Sequence, residues 1–247
     1  KAAGEVEEKT LLNRAGIEAT GGNVSLLSGN NIALIAADVT AGGNINMEAV
    51  DQLLIGAGEA VSKSASWSKS SGLFSGGNIY SAKEAKAGES ITSGEGSVLN
   101  AGGRITGDSG SAKIIGSDLH GDNGGVQLLT DIGSIEVLVS KTTSQSYSYE
   151  KSMTVGLGDL VEGLSNPNDL VKNQDGRLTA KIADATYDEV DTKTNVTSMT
   201  GSNITSGTGN IHLQSADSIV IEGSNLEVGK DREGEREGDV NLVAVND

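Results

Sequence analysis

Two histidines, a cluster of carboxylates and six aromatic rings are the side chains of this 247-residue chain that have chemistry to offer. His120 and His212 stand at a turn and a strand position without His-x-x-x-His spacing, and the chain has no Cys to add a thiolate. Neither a metal-ligand set nor a nucleophile with its base can be assembled from them. Asp184, Asp188, Glu189 and Asp191 crowd one β-rich arm and read as a solvated acidic strand. The run from Asp231 to Glu237 sets Arg232 and Arg236 among acids and reads as a self-compensated surface loop. Serine is abundant, but no Gly-x-Ser-x-Gly elbow occurs, and no Gly-Gly-x-Gly-x-Asp nonapeptide signals a calcium-bound roll. No catalytic, cofactor-binding or metal residue is therefore assigned, and no cofactor is expected. Trp67, Phe74, Tyr80, Tyr147, Tyr149 and Tyr187 are the candidate interaction residues, because such rings join a large contact area to a polar or polarisable edge.

The elements that position these rings are two excursions, about 60–89 and 140–200, which hold every aromatic in the chain. Both open on a polar alternation, Ser62-Lys63-Ser64-Ala65-Ser66-Trp67-Ser68-Lys69-Ser70 and Thr142-Thr143-Ser144-Gln145-Ser146-Tyr147-Ser148-Tyr149. Serine falls on one face and larger residues on the other, which is the two-residue period of a strand. With a β-rich return arm at Ala185 to Thr192, each excursion is expected to be an antiparallel hairpin projecting from the main body. A small helical or irregular tip is expected over Leu157 to Gln174, around Pro167.

Outside the excursions a five-residue phrase recurs: Gly22-Asn23-Val24-Ser25-Leu26, Gly43-Asn44-Ile45-Asn46-Met47, Gly124-Gly125-Val126-Gln127-Leu128, Gly209-Asn210-Ile211-His212-Leu213 and Gly238-Asp239-Val240-Asn241-Leu242. A weaker copy begins at Gly103. Gly22 to Gly43 and Gly103 to Gly124 are each 21 residues. Gly209 to Gly238 is 29, and the polar stretch Lys230 to Glu237 accounts for the excess. Intervals of 60 and 85 span the two excursions. Periods in this range mean a solenoid.

Each unit carries a second apolar strand about eight residues after the first, as in Ile32-Ala33-Leu34 and Ile219-Val220-Ile221. A third starts at a Ser-Asp/Asn-apolar corner, as in Ser117-Asp118-Leu119, Ser202-Asn203-Ile204 and Ser224-Asn225-Leu226. Three short strands per 21 residues give an all-β fold, a parallel β-helix of about 21 residues per coil with two extra-helical β-hairpin insertions. Alternation selects an inner row: Val24, Leu26, Ile32, Leu34, Ile45, Met47, Leu53, Ile55, Val126, Leu128, Ile211, Leu213, Ile219, Ile221, Val240 and Leu242. Asn23, Asn44 and Asn210 would superpose at one corner, where their amides can ladder along the axis.

Composition agrees with thin coils: 35 Gly, 1 Pro and 2% aromatics are poor material for an ordinary core. A single β-helix fragment over 1–247, with the insertions 60–89 and 140–200, is the simplest domain count. A formal charge of -16 argues against nucleic acid and against attraction to anionic lipid. No run approaches the length of a membrane span. With no starting Met and a repeat running by residue 22, the chain reads as a piece of something longer.

The set Gly-Gly-Asn-Val-Ser-Leu (21–26), Ala-Gly-Gly-Asn-Ile (41–45), Gly-Ser-Asn-Leu (223–226), and Ser-x-Ser-x-Ser arms leading to Gly-Leu-Phe (72–74) or Val-Gly-Leu-Gly (155–158) resembles the haemagglutinin repeats of filamentous-haemagglutinin-type exoproteins. That family includes two-partner-secretion adhesins and the stalk proteins of contact-dependent growth inhibition. The resemblance implies a secreted, right-handed β-helix rod at the bacterial cell surface. It also implies anchoring through an outer-membrane transporter by parts outside these residues, and a target-cell surface or outer membrane as partner. In the growth-inhibition members the Ser-armed repeats look like the segment that associates with the target cell and helps deliver a C-terminal toxin. Self-association of the hairpin arms is a further expected contact. The alternative readings are a polysaccharide-active β-helix enzyme, which needs acids and bases converging on one wall, and a surface-layer or autotransporter passenger of unrelated descent.

Overall fold

The computed structural model describes residues 1–10, 12–75, 78–156, 172–174, 177–179, 184–229 and 238–245, with side chains left undescribed at 74, 75, 78, 79, 172–174, 177–179 and 184 as well. The expected tip around Pro167, the interruption Lys230 to Glu237 and the side chains of Phe74 and Asp184 lie outside the described residues. No helix occurs among the described ones.

Contacts divide the chain into two compact units. The larger comprises Thr10–Val61, Thr92–Thr143 and Thr197–Asp247. Its first sheet contains β3 (Val24–Ser28), β4 (Asn31–Ile35), β6 (Ile45–Gly56), β10 (Arg104–Ile115), β12 (Gly125–Thr130), β13 (Ile135–Leu138), β19 (Ile211–Ser215), β20 (Ile219–Ile221) and β22 (Val240–Ala244). Its second contains β2 (Ala15–Ala19), β5 (Ala37–Ala41), β9 (Val98–Ala101), β11 (Asp118–Gly121), β18 (Asn203–Ser206) and β21 (Asn225–Val228). The pairings in both are parallel, a pattern compatible with a parallel β-helix.

Register follows the repeated phrase: Val24 lies beside Ile45, Ile45 beside Ile105, Ile105 beside Val126, Val126 beside Ile211 and Ile211 beside Val240. The first and second apolar segments, expected as separate strands, are continuous in β6 and in β10. The turn between them is absorbed by a register shift between Ser109 and Ser111.

The core is the set of inward files these registers make. Ile45, Met47, Leu53, Ile55, Val126, Leu128, Ile211 and Leu213 are buried, as are Ile105, Ile114, Ile135 and Val137. A third file, Val39, Leu99, Leu119 and Ile204, comes from the second sheet. Gly107 falls in the Met47–Leu128 file, where a Cβ would lie 2.7 Å from the methyls of Leu53 and Leu128, so the large neighbours already fill its place. Five expected core residues are corrected: Ile221, Val240 and Leu242 are exposed, and Leu26 and Ile219 are only half-buried. β20 and β22 end their sheet, each bonded to one strand, so their inward-type side chains have no second coil to pack against. Val24, Ile32 and Leu34, on β3 and β4 at the other end of the sheet, are buried, so alternation names a face and the surroundings of each end decide burial.

Two corners carry polar files. Asn23 Oδ1 accepts from the Asn44 backbone N–H at 2.7 Å, Asn44 Oδ1 from Arg104 N–H at 2.9 Å, and Asn210 Oδ1 from Asp239 N–H at 2.9 Å. The rungs therefore run from side chain to backbone, not amide to amide as expected. The Asn23 and Asn44 oxygens occupy the space where a Cβ of Gly43 and of Gly103 would stand, which explains the glycine before those two rungs; at the third, a Cβ on Gly238 would meet the Gly209 carbonyl oxygen and a Val228 methyl.

At the other corner, hydroxyls do the equivalent work. Ala37, Ser97, Ser117 and Ser202 donate their backbone N–H groups to the Oγ of Ser97, Ser117, Ser202 and Ser224 at 3.0, 3.0, 3.2 and 3.0 Å. Gly116 and Gly223 enter this corner at φ 53° and 52°, and Ala36 is forced to φ 46° at the equivalent place.

The smaller unit comprises Lys1–Lys9, Ser62–Ile91 and Ser144–Val196. Its sheet has the order β1 (Ala2–Thr10), β7 (Gly58–Ser75), β8 (Asn78–Glu95), β14 (Ser140–Gly156) and β17 (Asp184–Thr200). β15 (Lys172–Gln174) and β16 (Arg177–Thr179) form a separate antiparallel pair. In the five-stranded sheet, Glu89 meets Ser144 while Lys83 meets Glu150, so β8 and β14 run in opposite directions. Gly4 under Trp67 and Glu8 beside Lys63 show that β1 and β7 are likewise antiparallel. No described side chain of this unit is fully buried.

Candidate interaction face

The two-residue period sorts the smaller unit's sheet into unlike faces. One carries Ser64, Ser66, Ser68, Ser146 and Ser148 with Ala85 and Ala87. The other carries Trp67, Tyr147, Tyr149 and Tyr187, brought from three strands that lie far apart in the chain. Tyr80, at an even position of β8 like Lys86, belongs by that period to the aromatic side and is half-buried.

Trp67 and Tyr147 are built on glycine. A Cβ at Gly4 would come within 2.6 Å of Trp67 Nε1, and one at Gly88 would run into the Tyr147 ring. Each ring thus lies flat across the neighbouring strand and covers backbone that glycine leaves bare, the device known as aromatic rescue in sheets. Both remain accessible, at 46% and 44% exposure.

Lysines interleave with the other rings. Lys86 Nζ stands 5.6 Å from the Tyr149 ring centroid and Lys151 Nζ 5.1 Å from that of Tyr187, within the range of cation–π attraction. Glu84 Oε1 accepts from Lys86 at 3.0 Å, and that hydrogen bond holds the Glu84 carboxyl below its ordinary range and Lys86 above its own. Tyr187 Oη donates to Glu189, which lowers the Glu189 carboxyl, while Tyr187 raises Lys151. Tyr149 is raised by partial desolvation and then by the Glu189 charge. The face is therefore a mesh of rings, ammonium groups and carboxylates, in which Lys86, Glu84, Lys151, Tyr187 and Glu189 are partnered and ring surface is left over for contact.

The aromatic residues were legible from sequence and the lysines were not singled out. The signal that would have found them is the continued alternation Tyr147, Tyr149, Lys151 along β14. Other candidates do not converge. His120 Nδ1 pairs with Thr205 Oγ1 at 2.8 Å and His212 Nε2 with Gln214 Oε1 at 3.4 Å, in different sheets. Asp188 and Asp191 are exposed along β17. Among the described residues no group of three or more His, Cys, Asp or Glu could hold a metal ion.

No curated protein and no solved structure was found to match this sequence. The sequence model of the Hemagglutinin repeat family matches residues 7–97 and 183–247, which include strands of both sheets of the larger unit and the strands that carry Trp67, Tyr80 and Tyr187. With the Gly-Asn phrase in parallel register and the Ser-rich arms on one antiparallel sheet, the chain belongs to the haemagglutinin repeat family, in a protein of filamentous-haemagglutinin type.

Proposed function

We propose that this chain is a structural and interaction segment of a large secreted bacterial surface exoprotein. In this reading, residues 15–59, 97–139 and 202–247 form a right-handed β-helix rod of about 21 residues per coil, a single fragment from which the two excursions project. The rod acts as spacer, and the aromatic face of the smaller unit makes the contact with a target-cell surface or outer membrane. That contact serves adhesion or the delivery of a C-terminal toxin to a neighbouring cell. Membership of the haemagglutinin repeat family, a family of structural adhesins rather than of enzymes, supports the secreted, adhesin-like part of this reading. An outer-membrane transporter would engage the exoprotein through parts outside these residues. The formal charge of -16 argues against nucleic acid as a partner.

The observation that carries the proposal is the placement of Trp67, Tyr147, Tyr149 and Tyr187 on one accessible face, in a chain whose larger unit has no aromatic residue at all. Contact energy in interfaces concentrates on Trp, Tyr and Arg, and a wall of Ser, Thr, Asn and Gly offers few such anchors. The experiment is the combined Trp67→Ser, Tyr149→Ser, Tyr187→Ser exchange in the full-length exoprotein, with export checked first. Target-cell association should fall at least about tenfold, as loss of one or two hot-spot rings implies. Replacing each excursion by a short Gly-Asn turn should abolish it. Association that survives both changes assigns the contact to the wall of the larger unit instead. If the arms pair with each other in place of a cell surface, the same exchange abolishes self-association and leaves cell binding intact.

A further inference from the structure

On the larger unit, one stretch of wall departs from the way the rest manages charge. Where polar side chains from successive coils stack, they are complementary. Lys113 lies in register with Glu136 and pairs with it at 2.6 Å, Asn203 donates to Asp118 at 2.6 Å, and Arg14 holds Asp38. Glu48 and Asp108, by contrast, lie directly in register on β6 and β10. Like charges stacked one strand apart repel. Asp131, at the turn after β12, adds a third carboxylate, and no described cation pairs with any of the three. Partial burial, then Asp131 and Glu48, raise the Asp108 carboxyl above its ordinary range.

The same stretch exposes aliphatic surface. Leu27, in register with Glu48, is 73% exposed, and Val50 and Ile132 at the adjoining corner are 62% and 78% exposed. Together these residues line an open depression of about 620 Å³ that contains no lysine, arginine or aromatic ring. Unpaired carboxylates beside protruding aliphatic side chains are unfavourable for an isolated surface and complementary to one kind of occupant.

We propose that this depression docks a cationic, amphipathic protein segment, one in which lysine or arginine alternates with aliphatic residues. The charge excludes anionic lipid and nucleic acid, and the three carboxylates do not converge as metal ligands do. The absence of rings in the lining disfavours stacked sugars. A second copy of this chain, at -16, is repelled from it. The site is independent of the aromatic face, so either assignment stands if the other fails.

The test uses the whole chain and a fluorescein-labelled eight-residue peptide of alternating Lys and Leu, with Lys-Ser and Glu-Leu peptides as controls, followed by anisotropy. Saturable binding of the Lys-Leu peptide should weaken about tenfold in Glu48→Gln/Asp108→Asn, and by a similar factor in Val50→Ser/Ile132→Ser. Glu18→Gln/Glu227→Gln removes the same charge elsewhere on the unit and should leave affinity within about twofold. Equal binding of the Lys-Ser peptide, or equal loss in the Glu18/Glu227 variant, reduces the effect to net charge and overturns the proposal. Absence of saturable Lys-Leu binding overturns it as well. Circular dichroism of each variant separates loss of a site from loss of fold.

Discussion

The two units of this chain hold their strands together in opposite ways. In the larger, parallel strands turn branched and linear aliphatic side chains inward, and files such as Ile45–Ile105–Val126–Ile211 are fully buried. The polar corners then satisfy backbone N–H groups with Asn and Ser oxygens from adjacent coils. In the smaller, an antiparallel sheet has no buried side chain among its described residues, and its rings and charges work across strands on an open face. Burial stabilises the first, whereas pairwise cross-strand contact stabilises the second. Cross-strand pairs contribute about 0.2–1 kcal/mol each, against about 2–5 kcal/mol for a buried Leu or Ile truncated to Ala. The aromatic residues sit where they are least needed for a core, which is why they are free for contact.

That contrast can be broken most sharply at Leu213. Leu213→Asp places a charge in the dry interior and should cost several kcal/mol before any relaxation. Thermal melting and limited proteolysis should show a large loss, and Ile219→Asp a smaller one because Ile219 is half-buried on an end strand, β20. Melting of Leu213→Asp at the wild-type temperature would mean that the interior does not hold the larger unit.

A corner rung is the next largest effect. Asn44→Ala removes the acceptor for Arg104 N–H and should cost about 1 kcal/mol, since the corner is exposed and water partly replaces the bond. Hydrogen exchange should quicken at the Arg104 amide and leave the smaller unit unchanged.

Trp67→Ala probes the other unit. It uncovers Gly4 and should cost at most about 1 kcal/mol, read as faster exchange along β1 with the melting of the larger unit preserved. A large global destabilisation would show that Trp67 is a core residue in disguise and would weaken its assignment to contact.

The smallest effects are electrostatic and have opposite pH signs. The folded-state pKa of Asp108 lies above its ordinary 3.8, so the ionised folded form bears a cost at neutral pH that disappears as pH falls through the raised value. Asp108→Asn should therefore stabilise by a few tenths of a kcal/mol at pH 7, with the gain vanishing in acid. Asp38 is held low by its hydrogen bond to Arg14, so its contribution is present above 3.8 and is lost as pH falls through its depressed value. Asp38→Asn should destabilise slightly at pH 7 and converge on wild type in acid. Identical pH profiles for the two variants would remove the distinction between a paired and an unpaired acid on the larger unit.

The sequence by itself determined the repeat, the strand faces and the confinement of aromatic residues to the Ser-rich arms, because all three are local patterns. A Gly-Asn phrase reports a turn, and alternation reports which side of a strand is apolar, whatever the neighbours are. It also carried the intervals of 60 and 85 that return Ile105 and Ile211 to the files of Ile45 and Val126.

Only the tertiary structure decided what meets what. Val240, Leu242 and Ile221 have the inward pattern and stay exposed on strands with one partner, whereas Val24, Ile32 and Leu34 have the same pattern on such strands and are buried. The Asn oxygens reach backbone N–H groups because glycine in the next coil leaves room, a fact of spacing between coils. Ser97 joins the serine corner without the Asp or Asn that marks the other copies, so its motif was not recognisable. Lys86 over Tyr149, and Glu48 against Asp108, are encounters between residues about sixty positions apart in the chain. Such contacts depend on register and on the path of intervening segments, and neither composition nor periodicity encodes them.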